Sequence, residues 1–399
     1  MSSIKASLLS RRQLLASAAA SGMMAACVTR NDNSAVAPPP LKRIITGRTI
    51  DLHVHINAAE WWSLPPAPQQ SGGNGTGLGE TPYFRRVAEA RASFRRQLSP
   101  EMRAVMDERA ARRDARVTLE DDAAIVIEEC DEAGIDTFVN LTIDNAPTLG
   151  AGGRRFGATF ETILSENKQV REKYPGRMIT FAGVDPRRGP EAVRLLEMAV
   201  KDYGCSGYGE LVSTLWRTRA DNRDLVYPLM EKAIELDVPF LVDATMPFGF
   251  ADPAIFRRIL TDFPELRLAA GGTGSGVSPV KLADGSERPA HDVMLELAEE
   301  FPNFWLDLDD WQSKGFDKGL DFSSPESLAI TLDFIKRAMQ GPARGRIMYG
   351  SDYPIMAGEF TFASWIELLL SENERRGFGI TDAEWELFFS RNAQDFLRL

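Results

Sequence analysis

The sequence predicts an α/β chain folded as a (β/α)8 TIM barrel with a long first βα loop and a helical insertion. Three observations carry this. From Thr118 onward, helix-like and strand-like stretches alternate without a break, the pattern of a parallel sheet joined by crossover helices. Counting a first strand that ends at His55, the strands number eight in about 350 residues, which suits a barrel with insertions. No glycine-rich phosphate loop follows the first strand, which argues against the competing open doubly wound sheet.

The chain is expected to open with an export signal. Residues 1–27 hold Lys5, Arg11 and Arg12, no acidic residue, and an Ala/Leu/Met-rich stretch too short and small-sided for a membrane span. Ser10-Arg11-Arg12-Gln13-Leu14-Leu15 looks like a twin-arginine signal. Met24-Ala25-Ala26-Cys27 resembles a lipobox, which makes Cys27 the candidate lipidation site; the alternative is an ordinary signal cut near Ala26. Either way the mature protein is expected to be exported, as a periplasmic protein or a membrane-anchored lipoprotein, with membrane contact only through the lipid. Residues 28–47, ending in Pro38-Pro39-Pro40 and the run after it, read as a tether, and residues 48–399 as the barrel.

Without residues 1–27 the chain carries 43 basic against 57 acidic residues, a net charge of −14 in place of −11. A nucleic-acid partner is excluded on this balance, because phosphate binding needs a basic surface. The expected partner is a small-molecule substrate. Cys130 and Cys205 fall in a helix and at a strand start, where they pack as small apolar residues rather than form a bridge. Nothing in the sequence sets the oligomeric state, although homo-dimers are common in proteins of this kind.

The first strand, 48–55, ends in Asp51-Leu52-His53-Val54-His55, two of the chain's three histidines one residue apart. Strand alternation places Asp51, His53 and His55 on one face. If that face is the barrel interior, two imidazoles converge at the strand's C-terminal end, a donor pair suited to zinc and similar metals; an H-x-H pair alone is also a frequent coincidence. The insertion spans 57–117. Its Gly/Pro/Ser/Gln-rich stretch 65–81 reads as a flap; Trp61 and Trp62 either wall a pocket or pack on the barrel. Ten arginines between 83 and 116 recur at helical spacing, as a solvated helix pair or as a cationic rim for an anionic substrate.

After the insertion, helix 118–133 leads to strand 135–141, helix 159–174 to strand 178–184, helix 190–203 to strand 207–212 and helix 223–236 to strand 238–243. Helix 253–262 leads to strand 266–271, helix 290–300 to strand 304–309 and helix 325–339 to strand 346–352; helices 360–376 and 382–397 close the chain. Barrel chemistry sits where strands end. Those ends supply His53 and His55, Asp243 after strand 5, Asp309 and Asp310 after strand 7, and Asp352 after strand 8. Glu210 lies within strand 4, facing either the interior or the outer helices. Such carboxylates can complete a metal site with the imidazoles; for Asp352 the alternative is a turn aspartate before Tyr353-Pro354.

With these pieces in place the chain resembles the amidohydrolase superfamily, in its aminocarboxymuconate-semialdehyde decarboxylase-like branch. The resemblance rests on Asp51-Leu-His-Val-His55, Phe181-Ala-Gly-Val-Asp-Pro186, Phe263-Pro-Glu-Leu266, Phe301-Pro-Asn303, Tyr349-Gly-Ser-Asp-Tyr-Pro354 and Arg391-Asn-Ala393. It implies one divalent metal, usually zinc with manganese an alternative, held by the H-x-H pair, a strand-5 histidine and the strand-8 aspartate, and a strand-6 histidine acting on the substrate. Two positions depart from that pattern: strand 5 supplies Asp243, and strand 6 supplies glycine near 272. The expected ligands are therefore His53, His55, Asp243 and Asp352, with Asp352 also the general base. His291, at the start of the helix after strand 6, is the remaining candidate catalytic histidine, or else a solvated helix residue. Two functions follow. One is an exported metal-dependent hydrolase of a lactone, ester, amide or related carboxylate, or a decarboxylase using the same site. The other is a barrel that has lost catalysis and serves as a surface binding protein.

Overall fold

The computed structural model describes residues 38–62, 64–66, 82–144, 154–155, 157–245, 248–281, 284–311 and 324–399. Eight parallel strands form the barrel: β1 (Ile50–Val54), β2 (Thr137–Ile143), β3 (Met178–Gly183), β4 (Tyr208–Leu211), β5 (Phe240–Asp243), β6 (Leu268–Gly271), β7 (Phe304–Asp307) and β8 (Ile347–Met348). They pair in sequence order, β1 to β3 in one run and β4 to β8 in another. A bridge between Phe181 and Gly207 joins β3 to β4, and one between Val54 and Tyr353 joins β1 to the segment after β8. The Leu52 N–H to Tyr349 carbonyl (2.9 Å) and His55 N–H to Tyr353 carbonyl (2.7 Å) bonds complete the closure.

Two insertion helices, α1 (Pro82–Gln97) and α2 (Pro100–Asp114), precede the first outer helix, α3 (Leu119–Ala133). The outer ring continues with α4 (Phe160–Lys173), α5 (Pro190–Lys201), α6 (Tyr227–Glu235), α7 (Pro253–Asp262), α8 (Ala290–Glu300), α9 (Pro325–Gln340) and α10 (Phe362–Arg376). Local chemistry sets the boundaries. Thr118 caps α3 in a reciprocal box with Asp121, and Gly134 ends it at φ 84°, a left-handed turn that glycine adopts without steric cost.

Packing divides into two apolar clusters. The larger lies between strands and outer helices. The smaller fills the barrel from β1, β2, β3, β5, β6 and β8 with Ile50, Leu52, Val139, Leu141, Phe181, Leu241, Ala269 and Met348, and Ala393, Phe396 and Leu397 of the last helix belong to it. Strand β4 contributes no side chain to it. A Cβ on Gly207 would come within 2.5 Å of the Phe181 ring, and one on Gly209 within 3.2 Å, so the ring occupies the space these glycines leave.

One expectation changes here, and two open alternatives narrow. The run 38–47, expected to belong to a tether, packs on the barrel: Leu41 and Ile45 are buried in the outer core, and Lys42 pairs with Asp136 at 2.6 Å. Trp61 is buried and its indole N–H donates to Glu166 Oε2 at 2.8 Å, so it packs against the outer layer beside α4. Several described arginines of α2 have partners: Arg112, itself half-exposed, meets Glu128 at 2.7 Å, Arg109 meets Glu129 and Glu132, and Arg113 donates to the Ala357 carbonyl at 3.0 Å. The export signal with Cys27, most of the flap and the side chain of Trp62 lie outside the described residues.

Candidate metal centre

The centre is built on β1. Its pairing with β2 shifts register between Asp51 and Val54, and this breaks the simple alternation expected for Asp51, His53 and His55. Asp51 is fully buried, and its Oδ1 accepts the backbone N–H groups of His53 (3.1 Å) and Ser351 (2.9 Å). It ties β1 to the turn after β8 rather than joining the imidazoles, and burial raises its pKa to about 7. His53 and His55 do converge, with their Nε2 atoms 3.1 Å apart. His55 Nδ1 lies 2.9 Å from the Leu141 carbonyl; His53 Nδ1 lies 2.8 Å from Asp307 Oδ2 and 2.5 Å from Asp309 Oδ2. Each Nδ1 therefore carries the proton, which leaves both Nε2 lone pairs aimed at one point.

Two carboxylates face that point. Glu210 places Oε1 3.6 Å from His53 Nε2 and Oε2 3.4 Å from His55 Nε2. Asp352 Oδ1 stands 4.0 and 3.8 Å from the same two nitrogens. Bond lengths of about 2.0–2.2 Å put neighbouring ligand atoms roughly 3.0–3.6 Å apart around one ion. His53, His55 and Glu210 have that spacing, and Asp352 stands slightly wider. The contacts on the Nδ1 side are shorter, at hydrogen-bond length, so Asp307 and Asp309 orient His53 rather than share its metal.

The electrostatics favour a cation. Burial alone would suppress a positive charge on His53, but Asp309, Glu210 and Asp307 outweigh it and hold its pKa well above the usual value. Burial alone would likewise raise Glu210, yet His53 and His55 bring its carboxyl below the ordinary carboxylate range. Burial raises Asp307, Asp309 and Asp352, with the attraction of His53 too weak to reverse it. Oδ1 of Asp309 and Oδ1 of Asp307 are buried without a hydrogen-bond donor. Two imidazoles whose Nδ1 atoms are engaged elsewhere, with two carboxylates at matching spacing, are a donor set that fits a divalent ion.

Glycines make the room. A Cβ on Gly271, the last residue of β6, would sit 3.0 Å from Asp309 Oδ2, 3.2 Å from Glu210 Oε1 and 3.3 Å from His53 Cε1. One on Gly350 would sit 2.4 Å from Asp307 Oδ1 and 2.7 Å from His53 Cβ. Asp309, reaching over from the end of β7, occupies the space in front of the glycine that ends β6.

The expected site residues separate in this geometry. His53, His55 and Asp352 come together, and Glu210 faces inward. Asp243 does not reach the imidazoles: among the described residues, the carboxylates within ion-pair distance of them are Glu210, Asp307, Asp309 and Asp352. Its Oδ1 instead accepts from the Thr245 N–H (2.8 Å) and hydroxyl (2.5 Å), and burial with the Glu210 charge raises its pKa to about 7. His291 is buried, not solvated, and its ring packs against Trp311 and Phe334 at 5.6 and 5.8 Å rather than on the imidazole pair. Asp307 was not expected. Its signal was the D-x-D spacing with Asp309 at the end of strand 7, the same alternation as H-x-H.

The amidohydrolase profile Amidohydro_2 matches residues 50–399. The chain belongs to the amidohydrolase family. No curated protein sequence matches this amidohydrolase. Among solved structures it is similar to a probable 2-pyrone-4,6-dicarboxylic acid hydrolase from Acinetobacter baumannii, with 15% identity, TM-score 0.51, and 88% of this chain and 100% of the other covered. It is also similar to 5-carboxyvanillate decarboxylase from Novosphingobium aromaticivorans, solved with manganese, with 14% identity, TM-score 0.51, and 89% and 97% covered. A dihydroxybenzoic acid decarboxylase from a Polaromonas species, also with manganese, gives 18% identity, TM-score 0.51, and 89% and 98% covered. At such identities these likenesses establish the barrel fold alone.

Proposed function

We propose that this amidohydrolase is a metal-dependent hydrolase whose ion is held by His53, His55, Glu210 and Asp352. The observation that carries the reading is the spacing of the two Nε2 atoms and the Glu210 carboxylate, which suits ligands of one ion. A divalent ion, zinc or manganese, supplies a Lewis acid that polarises a carbonyl and brings the pKa of water to roughly 7. The protein's own groups do the rest. Asp307 and Asp309 hold His53 in the tautomer that keeps Nε2 free. Asp352 and His55 are the more exposed members, at 14% and 13% of their side-chain surface against 2% for His53, so substrate approaches from their side. Asp352 accepts the proton of the attacking water and returns it to the departing oxygen or nitrogen. His291 is no part of this scheme.

A carboxy-lyase with the same residues is the second reading, and the decarboxylases among the similar folds favour it. Export through the signal at 1–27, with a lipid on Cys27, remains part of the proposal and rests on the sequence alone. Elemental analysis of the purified protein tests the metal reading. About one zinc or manganese per chain is expected, lost in Glu210→Gln and His53→Ala and retained in Asp243→Asn. Loss in Asp243→Asn with retention in Glu210→Gln would exchange the two ligands; no uptake by the unsubstituted protein would end the hydrolase reading.

A further inference from the structure

His55 and Asp352 lie past the ends of their strands, since β1 stops at Val54 and β8 at Met348. Groups on such segments are placed less precisely than groups on strands unless other side chains support them. Backbone bonds join the two segments to each other: Asp352 N–H donates to the His53 carbonyl at 2.9 Å, and His55 N–H to the Tyr353 carbonyl at 2.7 Å. A carboxylate of the outer layer anchors the joined pair. Asp122, in the first turn of α3, is fully buried. Its Oδ1 accepts the hydroxyl of Tyr353, the neighbour of Asp352, at 2.8 Å. Its Oδ2 accepts the Asn57 N–H at 2.9 Å, and the Asn57 side-chain amide donates to the His55 carbonyl at 3.4 Å.

Helix packing alone does not call for this carboxylate. Thr118 and Asp121 already cap α3, and its inner face is otherwise carried by apolar side chains such as Ala123 and Val126. Burying a carboxyl group is unfavourable unless its oxygens are satisfied. Those of Asp122 are satisfied from three segments that meet nowhere else in sequence: the chain after β1, the turn after β8, and the end of the insertion. From the last, Arg116 Nε stands 3.2 Å from Oδ2. The Glu60 N–H to Val117 carbonyl bond, at 3.2 Å, closes the insertion at the same place.

We propose that Asp122 is a positioning residue for the metal centre: through Tyr353 and Asn57 it sets where Asp352 and His55 stand relative to His53 and Glu210. The inference rests on the metal reading above and extends it beyond the ligands and their immediate partners. Asp122 meets neither ion nor substrate in this role. It acts because a connected hydrogen-bond network moves as a unit, so loss of one bond displaces two ligands that are themselves intact. Outer partners of this kind govern metal affinity without binding the metal.

Tyr353→Phe removes one hydroxyl and keeps the ring that packs on Phe362; Asp122→Asn turns an N–H donor toward a partner that itself donates. Asn373→Ala is the comparison, since it breaks two hydrogen bonds to Ile380 at the end of α10 and none in this network. Zinc and manganese affinities come from competition with a chelating dye, and the visible absorption of the cobalt-loaded protein reports the coordination. Asp122→Asn and Tyr353→Phe should each weaken metal binding by about tenfold and shift the cobalt bands. Their combination should weaken it by less than the product of the two. Asn373→Ala should lower the Tm of the metal-free protein and change neither readout. If Asp122→Asn does not fold, Tyr353→Phe decides alone. Unchanged affinity and bands in Tyr353→Phe overturn the inference and leave the metal site standing, and so does an equal loss of affinity in Asn373→Ala. No metal uptake by the unsubstituted protein defeats the metal reading itself, and the inference with it.

Discussion

At the scale of single residues, the unusual feature is one imidazole nitrogen facing two carboxylates. Asp307 and Asp309 both approach His53 Nδ1, and carboxylate partners of a metal-bound histidine raise its basicity and fix its ring. Asp309→Asn keeps the shape and removes the charge, so metal affinity should fall by about 10–100-fold, measured by competition with a chelating dye. An unchanged affinity would mean that Asp307 alone positions His53. The sequence showed the H-x-H pair and Asp352 because strand ends are readable. It placed Asp243 ahead of Glu210 because the resemblance puts a ligand at the end of strand 5, while Gly207-Tyr-Gly-Glu-Leu has glycine where alternating apolar residues would reveal which face is inward. Only the packing of Phe181 over Gly207 and Gly209 shows where β4 turns Glu210.

At the scale of elements, the insertion helices dock on the segment after β8. Phe94 of α1 packs on Phe360, with ring centres 5.3 Å apart, and Arg91 meets Glu359. Their helical spacing was legible; their partners were not, because contacts such as Arg91 to Glu359 join residues on different elements and leave no local pattern. Glu359 titrates within reach of ordinary buffers. Burial raises its pKa from 4.5 to about 7, against the pull of Arg91, Arg95 and Arg113 and with the push of Asp310. The proton is thus held more tightly in the folded than in the unfolded chain. The stability this adds is complete below pH about 4.5 and is lost as pH rises through about 7. Glu359→Gln is neutral throughout, so its Tm relative to the unsubstituted protein should climb by a few degrees between about pH 5 and pH 8. A difference independent of pH would show that Glu359 has the same pKa folded and unfolded.

At the scale of the whole molecule, the count of eight alternating units was enough to give the barrel, because each predicted strand needed only a place in the order. Strand lengths were less legible: β8 spans two residues where seven were expected, and Asp352 lies beyond it at φ 53°, in a turn held by its N–H to the His53 carbonyl at 2.9 Å. That bond matters for the molecule, since it joins the first strand to the last. The proposed ligands come from β1, from β4 across the barrel and from the turn after β8, so an ion there would link the seam to the opposite wall. An ion that binds only the folded barrel stabilises it by about 2.7 kcal/mol at a hundred times its Kd, and removal by a chelator should lower Tm by several degrees in a single cooperative transition. Glu210→Gln and His53→Ala should melt at one temperature with or without added metal, while Asp243→Asn should respond like the unsubstituted protein. If the chelator leaves Tm of the metal-loaded protein unchanged, the ligands do not span the closure, and the centre is held by β1 alone.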